Sequence, residues 1–220
     1  MALRFRDPIY RQARAAKSGE AELAPAAVRF AAWLRDSYAV RLVYPLLDEI
    51  DIGPAAGRPR LWLFVEGAED IARLQEKAWV FKPGVTEAIQ EQVVACGLLS
   101  SVDQHGVHIV LVDFRREAVE QAVSAFLDAH ARSLTDELAA FGVWRVTGAC
   151  GRVVVFYLSQ GDVDANAESG QSEAIARRCY DLLKPHDEFD YLTFGDVPID
   201  FDSKENLDAN YEGSEYYYFL

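Results

Sequence analysis

A recurring order of blocks places the tightest constraint on what this chain can fold into. Arg152-Val-Val-Val-Phe-Tyr-Leu158 echoes Arg60-Leu-Trp-Leu-Phe-Val-Glu66. Gly170-Gln-Ser-Glu-Ala-Ile175 echoes Gly84-Val-Thr-Glu-Ala-Ile89, and Val197-Pro-Ile-Asp-Phe201 echoes Val110-Leu-Val-Asp-Phe114. The offsets are 92, 86 and 87 residues. The loop around Trp79 is therefore about six residues longer in the first pass, and loops absorb such changes more readily than strands or helices. Each pass reads strand, helix, strand. Two explanations stand side by side: a duplicated unit, or two units drawing on the same Val, Ile, Leu and Phe vocabulary of buried strands.

The pattern predicts an α+β (mixed α/β) fold of two related ββαβα-like halves with a partly antiparallel sheet, preceded by N-terminal helices. Residues 1–220 are expected to form a single compact domain, with helices over 1–39, a first half over 40–141 and a second over 142–220 that ends in an extra strand. Residues 3–18 predict a basic helix with Pro8 near its start. A second helix opens at Pro25, with Val28, Ala31, Ala32, Leu34 and Ala39 as its apolar stripe and Trp33 as a core anchor. Residues 41–52 and 60–66 predict a hairpin, and Pro45 marks either an edge position or a break. Helices are expected over 69–77 and over 85–96, the latter capped by Thr86 and closed by Gly97, and a buried strand over 107–113. The longest helix, 115–141, carries Val119, Val123, Phe126, Leu127, His130, Leu134, Leu138 and Phe141 near one face, with a break near Ser133 to Thr135.

In the second pass, 143–147 and 152–158 predict another hairpin, followed by a polar loop over 159–170 and a helix over 172–183 capped by Ser172. Strand pieces are expected over 189–194 and 197–201, then a short helix capped by Ser203. A final strand is expected over 214–220. An exposed aromatic edge strand there is a route to strand-to-strand pairing, so a homo-oligomer is expected.

Half of the residues are hydrophobic and 12% are aromatic, which suits a packed core and not a disordered chain. The formal net charge of −13 argues against general nucleic-acid binding, which needs surplus Lys and Arg. The charge is polarised. Arg4, Arg6, Arg11, Arg14 and Lys17 face one acid, Asp7, at the start. Asp187, Glu188, Asp190, Asp196, Asp200, Asp202, Glu205, Asp208, Glu212 and Glu215 face one base, Lys204, at the end. The first reading of this asymmetry is that the basic start docks on the acidic end, within a chain or across a dimer. Cys96, Cys150 and Cys179 are widely spaced and odd in number, which points to a reducing, cytoplasmic setting. No apolar run follows the basic start, and no window suits a membrane span, so neither a secretory leader nor a membrane partner is expected.

Two carboxylate constellations are candidates for a divalent cation. Asp162, Asp164, Asn166 and Glu173 fall at positions 1, 3, 5 and 12 of a calcium-loop pattern, although Ala167 stands where the turn needs glycine. The competing reading is a polar loop whose Asp or Asn caps the next helix. Asp196, Asp200 and Asp202 could share one strand face, which is more often simply a solvent face. His105 and His108, with Asp103 nearby, would need a further zinc ligand from elsewhere in the chain, and His130 reads as a core histidine. No nucleophile elbow, phosphate loop or dinucleotide fingerprint is present, and no cofactor beyond a divalent cation is indicated.

These observations favour a non-catalytic, soluble interaction module whose acidic C-terminal face binds a basic protein partner, as toxin-neutralising immunity proteins do by analogy. The face would comprise Asp187, Glu188, Asp190, Glu212, Glu215, Tyr216 and Tyr218. A metal-dependent hydrolase using the clustered carboxylates and a homodimeric scaffold are the alternatives.

Overall fold

The computed structural model describes residues 8–102 and 105–220. The fold is α+β with mixed sheets, and the chain divides into two compact units at Arg115/Arg116.

In the first unit, helices α1 (Pro8–Ser18) and α2 (Pro25–Tyr38) precede the hairpin of β1 (Leu42–Glu49) and β2 (Pro59–Val65). Helix α3 (Ala68–Leu74) leads into a small antiparallel ribbon, β3 (Gln75–Lys77) with β4 (Val80–Phe81). Helix α4 (Val85–Ala95) then returns the chain to β5 (His108–Asp113). The sheet order is β1-β2-β5, antiparallel on one side of β2 and parallel on the other. Strand β2 is central, so Leu61 to Val65 are buried on both faces and read as one apolar run. Leu61, Leu63 and Val65 share a core with Phe30 and Leu34 of α2 and Ile89 and Val93 of α4. Pro45 sits on edge strand β1, where a missing N–H disturbs no inner ladder.

The apolar face of α2 is rotated from the predicted one. Ala27, Phe30 and Leu34 are buried, whereas Val28 is half exposed and Ala39 is the left-handed C-cap. The stripe keeps the spacing i, i+3, i+7; its phase is set by Phe30, the largest side chain able to fill the core. Arg4, Arg6 and Asp7 lie outside the described residues. Of the other basic residues at the start, Lys17 pairs with Glu66 at 2.7 Å and Arg14 with Glu20 at 3.6 Å, both inside the first unit.

The second unit is built around α5 (Phe114–Leu138), β6 (Val143–Ala149) and β7 (Arg152–Tyr157), followed by α6 (Gln160–Glu168) and α7 (Gln171–Leu183). Strand β8 (Ile199–Ser203), α8 (Lys204–Tyr211) and the short α9 (Glu215–Tyr218) complete it. The order β6-β7-β8 repeats the first sheet, with an antiparallel hairpin and a parallel third strand. Both hairpins carry an irregularity near the start of their first strand, between Leu42 and Tyr44 and between Val143 and Arg145. On β7, Val153, Val155 and Tyr157 face a core with Phe126 and Leu134 of α5 and Ile175, Cys179 and Leu183 of α7. Val154 and Phe156 face the other way, against Leu207 of α8 and Tyr218 and Phe219.

Several expectations are corrected. Ser133 and Thr135 do not break α5; their hydroxyls donate back to the carbonyls of His130 and Ala131 within the continuous helix. The polar segment after β7 is helix α6. Ser159 accepts from the Asp162 N–H while Asp162 accepts from the Ser159 N–H, a capping box whose Ser-x-x-acid spacing was present in the sequence. Residues 189–194 are not a strand, and the predicted final strand is α9. Thr86 and Ser172 do not cap α4 and α7. Gly84 and Gly170 occupy those positions at φ +77°, without a side-chain bond. Ser203 does cap α8, accepting from the Asn206 N–H at 3.0 Å.

The third block of the echo is out of register. If Arg60 corresponds to Arg152, the pairs Val65↔Asp113 and Tyr157↔Ser203 equate Asp113 with Ser203, not with Asp200. Ser203, like Asp113, is therefore the last strand residue before a helix. No helix among the described residues is long and apolar enough to cross a membrane.

Nothing lies within 4 Å of a Cβ added to Gly84 or Gly170. Alanine at either position is thus expected to lower stability by about 1 kcal/mol through backbone strain alone. Asparagine, which tolerates this conformation, should lose less. Urea denaturation of the four variants checks both the loss and its order.

Candidate functional site

The negative charge of the chain is concentrated in one unit. Residues 116–220 hold twenty Asp and Glu against eight Lys and Arg, which is −12 of the total −13. The residues expected to form a site all lie in this unit, and the structure sorts them into groups with different roles.

Asp200 and Asp202 do share one face of β8, opposite Val154 and Phe156 in register. Both are half-buried and hydrogen-bonded within the chain. Asp200 Oδ2 accepts from Arg152 Nε at 2.9 Å and Nη2 at 2.6 Å. Asp202 accepts from the Ser203 N–H at 2.7 Å, from Asn206 Nδ2 at 2.8 Å and from the Tyr218 hydroxyl. Tyr218 packs edge-on against Phe156 and Tyr211, with ring centres 5.1 and 5.0 Å away. Burial raises the Tyr218 pKa above the usual tyrosine value, and the neighbouring Asp202 and Asp200 carboxylates raise it further. Glu215 ties α9 to β6 through Arg145 at 3.0 Å and the Thr147 hydroxyl at 2.9 Å. The aromatic C-terminal segment is thus folded back onto its own sheet as a helix, so the predicted exposed edge strand is not there.

Asp187, expected on a binding face, is an internal organiser. Its side chain is 3% exposed and accepts from the Tyr191 and Leu192 N–H groups and from Lys184 Nζ. Lys184 also reaches Asp190 and the Leu192 carbonyl, so one ammonium gathers the turn. Its pKa is raised by Asp187 and then Asp190, and that of Asp190 is lowered in return by Lys184. Asp196 is exposed and accepts from the Thr193 hydroxyl at 2.6 Å.

The calcium-loop pattern falls on α6, where successive residues turn by about 100° and Asp162 and Asp164 point about 200° apart. Asp162 caps the helix, Asp164 accepts from Gln160 Nε2 at 3.0 Å, and Asn166 donates to the carbonyls of Asp162 and Phe141. Glu173 stands exposed in the first turn of α7. A helical backbone replaces the loop that would fold these oxygens around an ion. Among the described residues no three His, Cys, Asp or Glu are grouped to hold a metal ion. Asp103 lies outside the described residues.

The unit also exposes an acidic and aromatic surface, in which Asp190 pairs with Lys184, Glu205 accepts the Gln160 N–H and Asp208 pairs with Lys204. Glu188, Asp190 and Glu212 are exposed, as are Glu205 and Asp208 of α8. Tyr216 is 70% exposed, and Tyr217 and Leu220 join it at the surface. The sequence reading placed Tyr216 and Tyr218 together on a partner-binding face. The helical turn of α9 separates the two, packing a half-buried Tyr218 against the sheet and leaving Tyr216 exposed.

One arginine pattern was visible without its meaning. Arg60 and Arg152 both begin a central strand, and each grips an aspartate on a neighbouring strand. Arg60 takes Asp48 on β1 at 2.8 and 2.6 Å, and Arg152 takes Asp200 on β8. Burial opposes the charge on Asp48, but the bonds from Arg60 and Trp62 outweigh it and hold its pKa below the usual carboxylate value. Cys179 is a core thiol whose pKa burial pushes up to about 12, which leaves it unreactive.

The raised Tyr218 pKa has a signed consequence. Its contribution to stability is complete below the unfolded tyrosine pKa near 10 and is lost as pH rises toward the higher folded value. Wild-type protein should lose stability more steeply than Tyr218→Phe between about pH 9 and 11; equal slopes in denaturant titrations would contradict this. Ser203→Ala should cost about 1 kcal/mol by removing the α8 cap, measured the same way. Compared with protein-family models, curated proteins and solved structures, the chain matches none.

Proposed function

We propose that this chain is a non-catalytic interaction module that binds a basic protein through the acidic and aromatic surface of its second unit. The supporting observation is the coincidence of two properties in one stretch. Residues 116–220 carry nearly all of the net negative charge, and their last turn presents Tyr216, Tyr217 and Leu220 to solvent. Carboxylates steer a basic partner and accelerate its approach. Exposed tyrosines provide the desolvated contact area from which most interface affinity comes. Inhibition of a basic enzyme or toxin is one form such binding takes.

A homodimer through the same tyrosines is a second reading, favoured by their exposure at the chain's end. Side-chain packing would form it, since no terminal strand is present to pair. Of the carboxylates proposed for a hydrolase, Asp162 caps α6, Asp200 pairs with Arg152 and Asp202 is held by the Ser203 N–H and Asn206, so no arrangement described above favours that reading.

The experiment compares wild-type protein with Glu205→Lys/Asp208→Lys/Glu212→Lys and with Tyr216→Ser/Tyr217→Ser as baits for basic proteins in a cell extract. A partner specific to this surface is retained by wild type, is lost from both variants and releases at raised salt. Unchanged capture by both variants would count against the proposal. Sedimentation of the tyrosine variant alone separates the dimer: it becomes monomeric only if the second reading holds.

A further inference from the structure

We propose that His130 and His186 form a two-imidazole site for a borderline first-row transition ion, Zn2+ or Cu2+, that clasps α5 to the turn following α7. Both residues lie in the second unit, one in the lower half of α5 and the other in the short 3-10 turn of Lys184–His186. Their ring centres are 5.7 Å apart with the planes at 65°. Two imidazoles binding one ion at about 2.0–2.1 Å, with wide tetrahedral angles, place their ring centres about 5–6 Å apart. The observed spacing falls in that range.

The surroundings suit nitrogen ligation by these two rings alone. Phe126 lies against His130, with centres 5.9 Å apart, and forms an apolar wall. The nearest carboxylate in sequence, Asp187, is already used on both oxygens, by the Tyr191 N–H on one and by Lys184 and the Leu192 N–H on the other. The Lys184 ammonium is likewise held by Asp187, Asp190 and the Leu192 carbonyl, away from competing for the site. Both histidines are half-buried, so water can complete the coordination. Imidazole without hard oxygen ligands selects zinc, copper or nickel over magnesium and calcium. With only two protein ligands the ion is exchangeable, a clasp and not a permanent structural metal.

The test is calorimetric titration of the EDTA-stripped full chain with Zn2+ at about pH 7.5, where free imidazoles are neutral. His130→Phe keeps the ring against Phe126 and removes the nitrogen donor; His186→Gln removes the second; His108→Gln is the control. The expected result is a single equivalent of Zn2+ bound by wild type and by His108→Gln, and lost by each of the other two. Binding should also be lost in wild type at about pH 5.5, because imidazolium cannot ligate. Cu2+ added to wild type should show electron-spin coupling to two nitrogens, a readout that does not require either variant to fold. Absence of Zn2+ binding at neutral pH, retention of it by both histidine variants, or copper coupling to fewer than two nitrogens would overturn the proposal.

Discussion

Burial of one central strand on both faces is the constraint on which each unit depends. A three-stranded sheet has only one strand with two neighbours, and in each unit that strand holds the longest apolar run. Leu61, Leu63 and Val65 in the first unit, and Val153, Val155 and Tyr157 in the second, are fully covered by helices. Two helices between the second and third strands return the chain for parallel pairing, since a parallel ladder needs a crossover. Everything polar is then fitted around these strands. Arg60 and Arg152 clamp the ladder sideways, and Asp70, with no exposed side-chain surface, joins Arg41 and Arg73 next to β1. A buried aspartate with two guanidinium partners is tolerable, whereas one with none is very costly.

The acidic unit puts its carboxylates to two uses. Those nearest the sheet are internal: Asp162 and Asp202 satisfy backbone N–H groups, and Asp187 does the same for a turn. Of those farther out, Glu205 accepts the Gln160 N–H at 2.8 Å and Asp208 pairs with Lys204, while Glu212 lies in the turn before α9; all three are exposed and contribute to the negative field around the unit. The ratio matters because a charge already bonded to its own chain contributes little specificity to binding, while a solvated one is free to be paired.

Much of the fold was legible because strands with two buried faces and long amphipathic helices repeat their signal over many residues. The two hairpins, the buried strand β5 and the stripe of α5 through Val123, Phe126 and Leu134 follow directly. Three kinds of feature were not legible. Helix α6 has almost no apolar stripe, and only its Ser159–Asp162 cap announces it. The segment from Glu215 is rich in aromatic residues with strand propensity, and tertiary packing of Tyr218 onto Phe156 overrides that preference. The helix caps at Gly84 and Gly170 rest on backbone conformation and not on a side chain, so Thr86 and Ser172 misled. At the site, the sequence displays residue types but not their partners. Whether a carboxylate is exposed or already bonded depends on residues far away in sequence, 48 positions for Arg152 and Asp200 and 68 for Thr147 and Glu215.

Thr135 makes two bonds with one hydroxyl. It donates to the Ala131 carbonyl within α5 and accepts the Val146 N–H from the outer rim of β6 at 2.9 Å. A foreign strand approaching that rim meets a donor already occupied at its midpoint, so templated polymerisation there must first unseat a helix side chain. Sheets of only three strands expose much rim relative to their size. A single threonine placed this way occupies one donor of that open rim without adding a strand.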